Sequence, residues 1–389
     1  MIRNIKVGID VGTHSTRVVV AEYFRGENAP KIIGTGTSES KGLRHGYVVN
    51  VADTAKSIAK AIDEAERNSG IKIKRVFISI GGISLGSETS AGSAIISKAD
   101  GEVTSLDVAK AISESEENLK LTNKKIIHTI PMLHKLDGKE ILGKPEGMKG
   151  VKLEIKTLFI TALEQHLDNL LAAVRDTGVE VIDVVASPIA ASHVALSDRQ
   201  KIVGCALANI GAETVSIAVF ENGNVISLQV FSIGSTDITN DIALGLKVTL
   251  EEAEGLKTGS IIGDYSKKKL DEIIEARLKD IFELIDNHLK KIKRNGLLPA
   301  GIIITGGGSN IASIADLSKN LLKLPSKIGA AEMFANSKTK VRDSLWFVAT
   351  GLCIAGKDGS GENYESGSFD LLFRKFKTFW TSIIRQLLP

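Results

Sequence analysis

IKVGIDVGTHSTRVVVAEY, residues 5–23, sets β-branched residues on both sides of a glycine turn and reads as strand, tight turn, strand. KIVGCALANIGAETVSIAVF, residues 201–220, reads the same way. Laying Asp10, Gly12, Arg17 and Val20 over Asn209, Gly211, Ser216 and Val219 gives one pattern in two halves of the chain. A duplicated β-hairpin is the internal symmetry that decides the fold class.

Helical patterns alternate with the strands. DTAKSIAKAIDEAERNSG (53–70) opens on Asp53 and stops at Gly70, and ALEQHLDNLLAAVRDTG (162–178) puts Leu163, Leu167, Leu170 and Val174 on one stripe. Thr249 and Glu252 form a capping-box pair. A longer helix over 267–294 has Ile274, Leu278, Ile281, Ile285 and Leu289 as its buried face. Residues 84–161 interrupt the first half with short strands (SAIISKA, KKIIHTI, KLEIKTLFIT) around one helix near 104–118, an inserted α+β subdomain.

The class is α/β or α+β, built in two related lobes; the doubled hairpin alternating with helices favours α/β. The expected division is a first-lobe core of 1–83, 162–188 and 345–358, an insertion over 84–161, a second-lobe core of 189–240 and 300–344, and an outer subdomain over 241–299. A flexible linker over 357–368 and an amphipathic helix over 369–389 follow.

Lys and Arg number 49 against 46 Asp and Glu, a net charge of +3. Residues 369–389 alone carry Arg374, Lys375, Lys377 and Arg385 against Asp370, so the body is neutral overall. A neutral body argues against nucleic-acid binding, which scales with the phosphates that a basic surface neutralises. Cys205 and Cys353 each sit in an apolar stretch, which indicates neither a disulfide framework nor a zinc site and fits a reducing cytoplasm. The N-terminus shows no signal peptide, no run of about 18 apolar residues suggests a membrane span, and the histidines have no metal-binding spacing.

Three glycine elements carry the chemistry. The first turn holds Asp10, Gly12, Thr13, Ser15 and Thr16. Glycine admits close approach of an anion, successive N–H groups form a nest for it, and the hydroxyls add donors. Asp10 is placed to hold Mg²⁺ through water, since that ion keeps several waters and takes few carboxylates. The second turn offers Asn209, Gly211, Ala212 and Thr214, so that two turns from two lobes clamp a phosphate chain. The third is AGIIITGGGSNIASIADLSKNLLKL (300–324), a buried strand, Gly306, Gly307, Gly308 and Ser309, then an amphipathic helix whose N-terminus favours an anion. Each element alone is also compatible with a plain turn.

The order hairpin, hairpin, strand–GGG–helix resembles the nucleotide-binding superfamily of actins, sugar kinases and heat-shock chaperones. That resemblance implies ATP, with Mg²⁺, between the lobes, and sets Glu254 and Lys257 facing the ribose or adenine; a solvated helix surface is their other reading. His128-Thr-Ile-Pro131, Leu136-Asp137-Gly138 and Pro145-Glu-Gly147-Met148-Lys-Gly150 are similar to the insertion of the FtsA family of bacterial actin-like division proteins. GLRHGYVVN (42–50), RVFISIGG (75–82), ASPIAASHVAL (186–196) and TNDIALGLKVTLEEAEGLK (239–257) extend the resemblance over nearly the whole chain.

The family resemblance implies a self-associating ATP-binding scaffold at the cytoplasmic side of the cell membrane, at the division site. It would bind the C-terminal tail of the tubulin-like protein FtsZ near 241–299, and use 84–161 for self-association and later division proteins. A pilus-assembly relative shares the core and insertion, and a sugar or acid kinase is the enzymatic alternative, though no carboxylate base or sugar pocket is evident. Asn209 stands where the superfamily has an aspartate, and a carboxylate at Glu213 would repel a terminal phosphate if it pointed inward. At most slow ATP hydrolysis is expected, and no catalytic residue is assigned.

FRKFKTFWTSIIRQLLP (373–389) follows the polar tether KDGSGENYESGS. At 3.6 residues per turn, Phe373, Phe376, Phe379, Trp380, Ile383, Ile384 and Leu387 fall on one face, with Arg374 and Lys377 on the other. Five of the chain's 18 aromatic residues lie within 369–389, together with its whole net charge. Central cations cost about 2.5–3.5 kcal/mol each in hydrocarbon. The segment is therefore expected to lie in the interface of an anionic membrane rather than span it; a helix docked on the protein's own core or on a partner is its other reading. Deleting 369–389 should release the protein from anionic liposomes in a flotation assay while sparing nucleotide binding; undiminished flotation contradicts the anchor.

Overall fold

The computed structural model describes residues 4–24, 26, 29–261, 265–334 and 340–358. The linker expected from 357 begins inside the helix Phe347–Asp358. Its remainder, and the expected amphipathic helix over 369–389, lie outside the described residues.

The chain divides into two compact units, one of Met1–Gly86 with Ala162–Ala355 and one centred on Ser87–Thr161. Within the first unit the hairpin pattern is realised twice. Strands Asn4–Val11 and Ser15–Tyr23 pair antiparallel with Asp10 opposite Arg17, and Cys205–Ile210 pairs with Val215–Glu221 with Asn209 opposite Ser216. These are the equivalences drawn from the sequence.

Each hairpin sits in a five-stranded arrangement of the same order. In the first lobe it is Glu180–Ala186, Arg75–Ile80, Asn4–Val11, Ser15–Tyr23, Lys31–Glu39; in the second it is Ser326–Ile328, Ile302–Thr305, Cys205–Ile210, Val215–Glu221, Asn224–Phe231. The first two strands of each set run parallel to the third, the fourth runs antiparallel to the third, and the fifth runs antiparallel to the fourth. Parallel neighbours need crossover connections, and the helices between the strands supply them.

Two helices join the lobes. Ser187–Ala195 packs on strands of both sheets, and Phe347–Asp358 lies against it and against the first sheet. A Cβ on Gly351 would fall 1.8 Å from the Ala190 carbonyl oxygen, and one on Gly8 would fall 2.2 Å from that of Ala349. Tyr23 Oη donates to the Cys353 carbonyl at 3.1 Å. The second-lobe core gathers Ile210, Val215, Ile217, Ile238, Ile242, Phe282 and Ile285 under the helix Lys267–Lys291.

In the second unit, strands Gly86–Ile95, Lys152–Leu163, Lys124–Leu136 and Lys139–Ile141 lie in that order. The helix Ser105–Glu117 covers a core of Val103, Val108, Ile112, Leu153 and Ile155. Its N-terminus is fixed by a reciprocal Thr104–Asp107 capping box.

Several boundaries differ from expectation. The strand expected over 93–99 instead starts at Gly86 and ends at Ile95, because Asp107 accepts from both the Ser97 amide and its hydroxyl and draws that backbone into the cap. The first helix starts at Val51, capped by Asn50, whose side chain accepts from the Asp53 amide; Asp53 is therefore its third residue. The glycines at 306–308 lead into a 3₁₀ turn, Gly307–Asn310, and the α-helix begins only at Ile314. They therefore do not stand at that helix's N-terminus.

One packing device occurs once in each unit. Gly36 on the outer strand Lys31–Glu39 faces Ala61 and Ala65 of the helix Val51–Ser69, and Gly92 on Gly86–Ile95 faces Ala111 and Ser115 of Ser105–Glu117. A Cβ would come within 2.0 Å of the Ala61 carbonyl oxygen in the first case and 2.1 Å of the Ala111 carbonyl oxygen in the second. The helix then satisfies the strand's outward backbone groups. Thr37 N–H donates to Glu64 and Asn68 Nδ2 to the Thr35 carbonyl, as Ser93 N–H donates to Glu114 and Asn118 Nδ2 to the Ala91 carbonyl.

Unpaired strand groups invite pairing with another chain, and these side chains block it. Alanine at Gly36 or Gly92 should lower stability by about 1–3 kcal/mol through overpacking, read as a lower urea midpoint. An unchanged midpoint for both variants contradicts this packing.

Candidate functional site

A cavity of about 760 Å³ opens between the two hairpins of the first unit, within the usual range for small-molecule sites. Asp10, Gly12, Thr13 and Ser15 line it from the first lobe; Asn209, Gly211, Ala212 and Thr214 from the second; Glu254 and Lys257 from the helix Leu250–Thr258; and Gly306, Gly307 and Gly308 from the third element. The two turns have the same tightness. A Cβ on Gly12 would meet the Ser15 carbonyl oxygen at 3.0 Å, and one on Gly211 would meet that of Thr214 at 3.0 Å.

Thr16 and Ser309 do not line the cavity. Thr16 is fully buried and bonded to the Ser40 hydroxyl at 3.0 Å, since successive strand residues face opposite ways and Ser15 takes the cavity side. Ser309 donates to the Gly306 carbonyl at 2.7 Å and meets the Ser344 hydroxyl at 2.9 Å, so it shapes the glycine turn from behind.

Asp10 accepts a hydrogen bond from Ser79 Oγ at 2.8 Å. Burial pushes its pKa above the usual carboxylate value, opposed by Ser79 and by the charge of Arg17. Arg17 also lines the cavity and lies over the Trp346 ring at 5.9 Å. Burial lowers the pKa of its guanidinium while Asp10 and Asp343 hold the charge in place. Arg17 joins the residues expected from the sequence, and its position opposite Asp10 in the hairpin register is the signal for it, because directly opposed residues share a face.

Ser15 Oγ is buried with no hydrogen-bond partner among the described residues. A buried hydroxyl lacking a partner is costly, and one on a cavity wall suits a polar ligand. With Asp10, Arg17 and two glycine turns around it, this donor set fits a phosphate chain carrying a hard cation. Among the described residues no three of His, Cys, Asp and Glu gather as a metal cluster. One carboxylate is nonetheless what a largely hydrated Mg²⁺ takes from protein.

At the other end of the cavity, Lys257 Nζ lies 2.7 Å from Glu254, 2.8 Å from Thr239 Oγ1 and 3.1 Å from the Ser235 carbonyl. Lys257 is 7% exposed and Glu254 52%. Burial works against the Glu254 charge, but hydrogen bonds from Lys257 and Thr239 outweigh it and lower the pKa. Lys257 thus props a carboxylate that retains a free face.

Glu213 does not point into the cavity. Its Oε2 accepts from the His45 amide of the first lobe at 2.5 Å. Burial pushes His166 and His288 down to about 4, so both stay neutral, as structural residues. Burial likewise pushes the Cys205 and Cys353 thiols up to about 12, which removes both as nucleophiles at neutral pH.

The sequence profile described as cell division protein FtsA matches residues 206–351, and that described as the SHS2 domain inserted in FTSA matches 82–161. The cell division protein FtsA of Pseudomonas aeruginosa is 30% identical over 391 residues, covering 92% of this chain and 93% of the relative. That of Bacillus subtilis is 30% identical over 368 residues, covering 89% and 82%.

Among solved structures, a PilM–PilN type IV pilus biogenesis complex has a chain with TM-score 0.67 at 16% identity, covering 90% of this chain and 98% of that one. MreB5 of Spiroplasma citri bound to ADP has TM-score 0.53 at 13% identity, covering 91% and 96%. These two likenesses establish the actin-like fold. The sequence matches, which include the insertion, distinguish the family within it: the chain belongs to the FtsA family of cell-division proteins.

Proposed function

We propose that this FtsA-family chain binds ATP with Mg²⁺ in the cleft, polymerises, and anchors the FtsZ ring to the cytoplasmic face of the membrane at the division site. The carrying observation is the pair of equivalent glycine turns facing one cavity whose wall also holds Arg17, Asp10 and the partnerless Ser15 hydroxyl. MreB5 of Spiroplasma citri, of the same fold, was solved with ADP and with AMPPNP, which supports a nucleotide as the ligand.

In this reading Gly12 and Gly211 admit the phosphates close to the backbone, while Thr13, Ser15 and Thr214 donate hydroxyl hydrogen bonds. Arg17 supplies a fixed cation, the stronger kind of phosphate partner. Asp10 holds Mg²⁺ through water, and that ion would neutralise phosphate charge. Glu254, braced by Lys257, accepts from a ribose hydroxyl, and Gly306, Gly307 and Gly308 let the base lie flat on the backbone. Asn209 offers no charge and Glu213 is turned to His45, so no second-loop carboxylate is positioned to drive fast hydrolysis. ATP then serves mainly as an assembly ligand.

The partner surfaces follow the family reading: the FtsZ tail on 241–299, self-association and later division proteins on 84–161, and anionic lipids on 369–389. Calorimetric titration of the full chain should detect Mg²⁺-dependent ATP binding, weakened about 10–100-fold in Arg17→Ala, the loss of about 1.5–3 kcal/mol for a hydrogen bond to a charged group. Equal affinity in parent and variant, with both folded by thermal melting, would overturn this phosphate site.

A further inference from the structure

We infer that Glu213 is a positioning residue that latches the two lobes across the cleft and so sets how long nucleotide stays bound. The inference rests on the reading of the cleft as a nucleotide site. The carboxylate leaves a turn that is itself fixed. Gly211 N–H donates to the Thr214 carbonyl at 2.8 Å, and the Gly211 and Ala212 carbonyls accept from Ser235 N–H at 2.9 Å and Thr236 N–H at 2.8 Å. Gly234 leaves room for this contact, since a Cβ there would fall 2.2 Å from the Ala212 carbonyl oxygen.

The receiving loop is fixed equally well to the first lobe. Leu43 and Arg44 pair with Val48 and Tyr47 in a two-stranded hairpin, and His45 at its tip has φ 47, followed by Gly46 at φ 78. Gly46 rests on Gly82, where a Cβ would fall 2.4 Å from the Gly82 Cα. The Tyr47 ring meets His166 edge-on at 4.9 Å, and His166 in turn bonds the Gly81 carbonyl at 3.2 Å. Asn169 Nδ2 donates to the Val48 carbonyl at 3.3 Å.

Between these two rigid supports runs the Glu213–His45 hydrogen bond, backed by a longer contact of His45 Nδ1 with the Glu213 carbonyl oxygen at 3.4 Å. Gly46, Gly81 and Gly82 line the same cavity as Gly211 and Ala212, so the latch stands at its wall. Separating the lobes to release nucleotide must break a charge-assisted bond between two loops that are each tied to their own lobe. The carboxylate thereby acts on residence time rather than on the phosphates themselves.

The test compares the full chain with Glu213→Ala and Glu213→Gln in two measurements. The first is release of radiolabelled ATP into excess unlabelled ATP. The second is hydrogen–deuterium exchange of residues 42–50 in ligand-free protein. Glu213→Ala should release ATP about tenfold faster, in keeping with a charge-assisted hydrogen bond, and should exchange faster at 42–50. Glu213→Gln keeps an acceptor and should fall between parent and Ala, a graded rescue that general loosening of the fold would not give. Parent-like release and exchange in both variants would overturn the latch. If even the parent fails to bind ATP while exchange at 42–50 still rises in Glu213→Ala, the latch stands and the nucleotide reading falls.

Discussion

The backbone-to-backbone contact between helices Phe347–Asp358 and Ser187–Ala195 is the constraint on which the two-lobed arrangement depends. Gly351 has no room for a side chain against Ala190, and Gly8 has none against Ala349. One helix is thereby held between the central strand of the first sheet and a second helix that itself touches both sheets. Protein interiors pack as densely as organic crystals, so such a joint keeps its spacing. Two sheets fixed at a glycine-lined joint place their equivalent hairpin turns across a common cavity.

The doubled hairpins share strand order and register but differ in chemistry at the turns. The first carries Asp10 opposite Arg17, an acid and a base on one face of the pair; the second carries Asn209 opposite Ser216, which are neutral. At the hairpin turns of the proposed site the charged side chains therefore belong to the first lobe. The second contributes a glycine turn, a braced carboxylate at Glu254 and a cross-cleft bond from Glu213. An acid that would have opposed a phosphate chain instead bonds the His45 amide of the other lobe, which agrees with the proposal that ATP organises assembly more than it turns over.

The hairpins were legible because β-branched residues flank a glycine turn twice at matching positions, and local patterning of that kind survives tertiary context. The insertion and the long helix Lys267–Lys291 were legible from motif and apolar period. Side-chain direction was less so. Thr16 faces away because a strand alternates faces every residue, a rule that the sequence itself offered. The turn of Glu213 toward His45 depends on a loop 168 residues earlier in the chain, which no local pattern encodes. The Gly307–Asn310 turn displaced the expected helix start because three glycines and a serine close a turn of their own before Ile314. The paired locks at Gly36 and Gly92 were likewise invisible until strand and helix were seen together, although both helices carry Glu and Asn at matching positions.

A structure of the full chain determined with AMPPNP and Mg²⁺ tests the central claim most directly. The account predicts the triphosphate between the turns Gly12–Ser15 and Gly211–Thr214, beside Arg17, with the ribose against Glu254. Saturating nucleotide that leaves this cavity empty, or that binds elsewhere on the chain, would contradict it.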